Sequence, residues 1–286
     1  MKILVTGGAG FIGSHLCERL VKYKGNKVFS LDNYSTGSED NHIDGVKYIK
    51  GDTVDVGRLI DFVPDLIFHL GEYSRTSESF KEPEKTWNFN SRGTFSILEF
   101  CRKNNVGKLI YAGSSTKLAD GGDGRNQSPY AWTKAINTEL VQRYGRWFDL
   151  PYVITYFYNV FGGREIRTGV YSTLIGTFQR LTLEGKPLTV VSPGAQMRSF
   201  THVEDIVRGL ILASEKGNGD GYCLGPKEAY SVLDVAKMFG GKIKMLPERP
   251  GDRKTVTIDL AKTEKDLGWK AEIKLVDYIK CFLEAL

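Results

Sequence analysis

Ile3-Leu4-Val5-Thr6-Gly7-Gly8-Ala9-Gly10-Phe11-Ile12-Gly13 decides the fold. A continuous apolar run ends in a turn with glycines spaced GxxGxxG. A helical period follows, with Phe11, Ile12, Leu16, Leu20 and Val21 on one side until Gly25 stops it. Glycine permits a tight turn and a close approach of backbone to phosphate, and the free amides and dipole at the helix start favour a pyrophosphate. With 32 glycines in 286 residues the spacing alone carries little. The strand before it, the helix after it and Asp32 about 20 residues on give it weight. Asp32 closes a second apolar run, Val28-Phe29-Ser30-Leu31. A carboxylate there accepts both ribose hydroxyls of an adenosine and repels a 2′-phosphate, which favours NAD over NADP.

Working outward, Val46–Ile49, Leu66–Leu70, Leu109–Ala112 and Tyr152–Phe157 are further apolar runs, with helical patterns over 86–104 and 130–148. Strands without polar alternation, joined by helices, predict a parallel sheet covered on both faces. The fold expected is α/β, a Rossmann-type doubly wound sheet over residues 1–160. The regularity drops after Phe161, where Pro and Gly turns fill 162–200 and 226–256. Residues 161–286 are therefore expected to form mainly a smaller substrate-binding lobe, with the chain returning to the first domain near 203–224.

Composition excludes several classes. With 41% hydrophobic and 26% charged residues the chain reads as an ordinary globular protein. Its net charge of +5 is scattered among acids, unlike the clustered basic face that nucleic acid needs. The four cysteines are far apart, which points to a reducing cytoplasm, and the four histidines form no close pair, so no metal is expected. Ile3-Leu4-Val5 is too short for a signal peptide, and no run approaches the ~20 apolar residues of a membrane span.

Tyr130 and Lys134 are four residues apart behind Ser128-Pro129, a good N-cap followed by proline at the first helical position. They share one face of the expected helix, where an ammonium favours a phenolate able to take a proton from an alcohol. Tyr23 and Lys27 have the same spacing but straddle Gly25, so context decides. Gly113-Ser114-Ser115-Thr116 supplies it, placing hydroxyls at the carboxyl edge of the sheet, where ligands bind. Asp52, after a third strand, is a candidate for the adenine amino group.

The Gly-rich turn, Asp32-Asn33, Gly51-Asp52, His69-Leu70-Gly71, Asn90 with Gly93-Thr94, Ser114, Tyr130 and Lys134 occur in an order that resembles the extended short-chain dehydrogenase/reductase family. The likeness is to NAD-dependent nucleotide-sugar 4-epimerases of the UDP-galactose 4-epimerase type. It continues through Tyr158-Asn159-Val160-Phe161-Gly162, Arg198-Ser199-Phe200-Thr201-His202, Arg249-Pro250-Gly251-Asp252 and Leu267-Gly268-Trp269. The resemblance implies Tyr130 as base, Ser114 as its helper and Lys134 on the nicotinamide ribose. It implies NAD contacts at Gly7, Gly10, Phe11, Ile12, Gly13, Asp32, Asn33, Asp52, Thr53, Leu70, Gly71, Asn90, Tyr130, Lys134 and Tyr158. Arg75, Ser114, Asn159, Arg198, Arg249 and Asp252 are the candidates for the sugar nucleotide, a UDP-hexose. A homodimer through helices like 86–104 and 130–148 is also implied.

The sequence departs from that pattern in places. Gly71-Glu72-Tyr73-Ser74-Arg75 replaces the usual small residues after the fourth strand, and Tyr156 stands where an arginine is usual. The segment Lys117–Gln127 is short and Gly-rich. Either the sugar is unusual or negatively charged near Arg75, or Glu72 and Arg75 pair with each other. The function expected is epimerisation at carbon 4 through a transient 4-keto sugar. A 4-ketoreductase or dehydrogenase, a 4,6-dehydratase and a silent dinucleotide-binding protein are the alternatives. Dehydratases of this kind carry an Asp-Glu pair where this chain has Ser115-Thr116.

Overall fold

The computed structural model describes residues 1–252 and 254–286. Thirteen strands are found among them: β1 Lys2–Thr6, β2 Lys27–Asp32, β3 Val46–Lys50, β4 Leu66–His69, β5 Lys108–Ser114, β6 Tyr152–Phe157, β7 Asn159–Phe161, β8 Leu188–Val191, β9 Met197–Arg198, β10 Phe200–His202, β11 Gly219–Leu224, β12 Tyr230–Ser231 and β13 Ile243–Leu246. The helices are α1 Phe11–Val21, α2 Val56–Leu59, α3 Pro83–Trp87, α4 Gly93–Asn104, α5 Pro129–Phe148, α6 Leu174–Leu183, α7 Val203–Lys216, α8 Val232–Phe239, α9 Ala261–Leu267 and α10 Leu275–Glu284. None is long and apolar enough to cross a membrane.

Seven strands form one parallel sheet in the order β11-β6-β5-β4-β1-β2-β3. The fold is a Rossmann-type α/β fold. The order reverses between β1 and β4, and the carboxyl ends of strands at such a point frame a crevice. β1 and β4 bury nearly every residue, because helices cover both faces.

The helix read over 86–104 is broken. Asn88–Arg92 makes a wide π turn between α3 and α4. A Cβ on Gly93 would lie 2.3 Å from Thr53 Oγ1, so α4 starts against a neighbouring turn, and the widened turn aims Asn90 inward. Such a contact between residues 53 and 93 has no local signature.

Two hydrophobic cores alternate along the chain. The first takes Ile3 to Val160, Ile206 to Leu224 and Val256 to Ala271; the second takes Phe161 to Phe200, Tyr230 to Ile243 and Leu275 to Leu283. The stretch from Val256 to Ala271 belongs to the sheet domain, although the loss of periodicity after Phe161 assigns it to the second lobe. Its anchor is Trp269, fully buried, whose indole donates to the Asp205 carbonyl (2.9 Å).

Candidate active site

A cavity of about 470 Å³ occupies the crevice. At one end is the Gly-rich turn. Gly7 has φ +73°, and a Cβ on it would come within 3.0 Å of Gly71 Cα. A Cβ on Gly13 would lie 2.0 Å from the Gly7 carbonyl oxygen, so the first turn of α1 rests directly on the loop. No side chain caps α1 and no acid stands in its first turn, so its leading amides remain available to an anion. Asp32 is buried at the end of β2, accepting from Ala9 N (2.9 Å) and Tyr34 N (2.8 Å). Burial raises its pKa, and these two amides act the other way. Asn33 Nδ2 donates to Asp52 Oδ1 (2.5 Å), and Thr53 follows on the same wall. This cradle and carboxylate fit a dinucleotide with its pyrophosphate on α1 and its adenosine ribose at Asp32.

The other end carries the hydroxyls. Ser128 Oγ accepts from Ala131 N (3.0 Å) and starts α5, with Pro129 at the first position. That fixes Tyr130 in the first turn, where its hydroxyl donates to Ser114 Oγ (3.2 Å) at the end of β5. Ser114 Oγ shares a second hydrogen bond with Thr116 Oγ1 (2.8 Å). One turn further along α5, Lys134 donates to the Ala112 carbonyl and to Glu72. Both side chains of that ion pair are almost fully buried. Glu72 Oε1 also accepts from Thr94 Oγ1 (2.8 Å), Asn137 Nδ2 (3.0 Å) and Tyr111 OH (3.1 Å). Glu72 therefore pairs with Lys134 and not with Arg75, which answers one of the alternatives left by the sequence.

Leu70, Gly71, Phe11, Ile12, Gly10, Arg75, Tyr158, Asn159, Arg198 and Asp252 all line the same cavity. Asn159 Nδ2 donates to the Ser199 carbonyl (2.9 Å), and Arg198 is ion-paired with Asp252. Two expected contacts lie elsewhere. Asn90 is fully buried behind the wall, accepting from Tyr73 N (2.7 Å) and donating to Thr133 Oγ1 (3.0 Å). Its amide clasps the Tyr73 backbone, accepting from the N–H and donating to the carbonyl. Arg249 is exposed and off the cavity wall. Tyr156, in place of the usual arginine, donates to Asp220 Oδ1 (2.8 Å) on β11. Tyr111 and Asn137, which also hold Glu72, are the residues that sequence reasoning missed. Asn137 carried one signal, its place three residues after Lys134 on the same helix face.

The model of the NAD dependent epimerase/dehydratase family matches residues 3–225. The chain belongs to that family. This family member is 32% identical to a dTDP-D-glucose 4,6-dehydratase of Dictyostelium discoideum over 82% of its own length and 61% of that protein, so it spans less than two thirds of that relative. Among solved structures it resembles a UDP-glucose 4-epimerase of Thermotoga maritima solved with UDP-glucose. That pair has a TM-score of 0.90 and 26% identity, covering 99% of this chain and 98% of the other. It also resembles a UDP-glucuronic acid 4-epimerase of Bacillus cereus in complex with UDP-glucuronic acid and NAD, with a TM-score of 0.89 and 27% identity over 99% and 98% of the two chains. The family is thus NAD-dependent, and both of these neighbours were solved with a UDP-sugar.

Proposed function

We propose that the enzyme epimerises a nucleotide-activated hexose at carbon 4 through a transient 4-keto sugar. The observation that carries this reading is the state of the acids around Tyr130. A 4,6-dehydratase needs an acid and a base to eliminate water. Of the carboxylates on the cavity wall, Glu72 is bound to Lys134, Asp252 to Arg198, and Asp32 and Asp52 are held at the far end. Ser115 and Thr116 offer only hydroxyls. Proton transfer through Tyr130 and Ser114 is what remains.

Bound NAD supplies a reversible hydride acceptor for carbon 4. Tyr130, held by Ser114, takes the proton of the 4-hydroxyl as the carbonyl forms and returns it after the ring presents its other face. The lysine ammonium, fixed by Glu72 and Ala112, keeps one donor for the nicotinamide ribose. Arg198, Asn159 and Asp252 are assigned to the nucleotide diphosphate end. The buried unpaired thiols of Cys17, Cys101 and Cys223 fit a reducing cytoplasm. The exposed aromatic side chains on α3, α4 and α5 fit a homodimer.

The test is to incubate the NAD-loaded protein with UDP-hexoses and follow sugar configuration by NMR beside NADH absorbance. An epimer with no net NADH is expected, with Tyr130→Phe reducing turnover at least a hundredfold while the protein still retains NAD. Stoichiometric NADH, or a stable 4-keto-6-deoxy product, rejects the reading.

A further inference from the structure

Arg75 sits on the cavity wall with Tyr130. Its Nε and Nη2 both donate to the Tyr171 carbonyl and its Nη1 to the Ser74 carbonyl. A guanidinium has five N–H donors, so two are left over. Both oxygens it meets belong to neutral carbonyls. Among the described residues no carboxylate lies within ion-pairing distance of it, since Glu72 is bound to Lys134 and Glu82 to Tyr73, Tyr171 and Lys85. The ionisable groups acting on it are phenols, Tyr130 first, then Tyr73 and Tyr171. Burial disfavours its charge, yet guanidinium stays protonated at any working pH. A partly buried cation with spare donors and no counter-ion is suited to an anion brought by the ligand.

Position narrows which anion. The nucleotide diphosphate is attached at carbon 1 of the sugar, across the ring from carbon 4. A guanidinium beside Tyr130 faces the carbon 4 end. Carbon 4 is flanked by carbon 3 with its hydroxyl and by carbon 5 bearing carbon 6, and of the two substituents it is carbon 6 that becomes a carboxylate on oxidation. We propose that Arg75 binds a carboxylate at carbon 6, so that the preferred substrate is a nucleotide-activated hexuronate. This rests on the epimerase reading for the placement of carbon 4 at Tyr130.

The experiment is calorimetric titration of the NAD-loaded enzyme with UDP, a neutral UDP-hexose and a UDP-hexuronate, for the natural protein, Arg75→Gln and Arg75→Lys. A charge-assisted contact predicts at least tenfold tighter binding of the hexuronate than of the neutral sugar. Arg75→Gln removes that preference, and Arg75→Lys retains part of it, because the cation survives without its fork. If Arg75 only clasped Tyr171, Arg75→Gln would leave the ratio of hexuronate to neutral-sugar affinity as it is in the natural protein, which overturns the proposal. Equal weakening of all three ligands, UDP included, also overturns it, by making Arg75 a diphosphate contact. Should Arg75→Gln fail to fold, equal affinity of the natural protein for both sugars still overturns it. Selective binding of the hexuronate without epimerisation upholds Arg75 and rejects the epimerase reading. Epimerisation of the neutral sugar alone does the reverse.

Discussion

Glu72 is the residue whose position the sequence showed and whose partner it hid. Lys134 is 62 positions away, and only the packing of α5 against β5, the neighbour of β4 in the sheet, brings the two together. Behind the pair runs a chain of buried hydroxyls and one imidazole. Thr94 Oγ1 donates to Glu72 and meets His69 Nε2 (3.1 Å), and His69 Nδ1 meets Thr6 Oγ1 (2.7 Å). Burial pushes the His69 imidazole from 6.5 down to about 4. The unfolded chain therefore binds one more proton than the folded one between these values. Its contribution to stability is complete above about pH 6.5 and is lost as the pH falls to about 4, by roughly 3 kcal/mol. Urea unfolding at neutral pH and at pH near 4.5 checks this. The acid loss should be smaller by about that amount in His69→Gln, and identical losses in the two proteins would refute it. Tyr130, Lys134 and Ser114 were legible because each sits on its own local signal, an N-cap, a helical spacing and a strand end. Asn90 and Arg249 were not placed by theirs, since motif order says which residues occur and not which way they face.

At the scale of elements, the glycine turn and α1 are one unit. The helix rests on the loop at Gly13, where an added methyl would meet Gly7 O at 2.0 Å and Gly8 Cα at 2.8 Å, both backbone atoms. Neither can yield without deforming the cradle. Gly13→Ala is expected to destabilise the protein by about 3 kcal/mol and to empty it of dinucleotide. Gly57 in α2 has open space around it and an ordinary φ, so Gly57→Ala should be neutral or slightly stabilising. Denaturant midpoints and assay of dinucleotide released on denaturation separate the two; equal effects would sink the argument from contact. The strands of the main sheet from β1 to β6, and α1 and α5, were readable because their apolar pattern is local. The π turn at Asn88–Arg92 was not, because it adjoins the close packing of Gly93 on Thr53, which belongs to another element.

At the scale of the molecule, exposed aromatics gather on the α3–α5 side: Trp87 stacks on Trp132 with ring centroids 5.9 Å apart, and Phe95, Trp147 and Phe148 are about half exposed. Light scattering should give a dimer for the natural protein and a monomer for Trp132→Glu combined with Phe95→Glu; a natural monomer rejects the homodimer. The break near residue 160 was legible as lost periodicity, but the interleaving of the two cores was not, since Leu260, Leu267 and Trp269 find their neighbours only in three dimensions. That interleaving bears on descent. The second core cannot be exchanged as a cassette, because its three separate tracts would have to be transplanted together and each is joined to the core that stays. A change confined to the cavity wall, at a residue such as Arg75, needs no such transplant and leaves the glycine cradle at Gly7 and Gly13 in place.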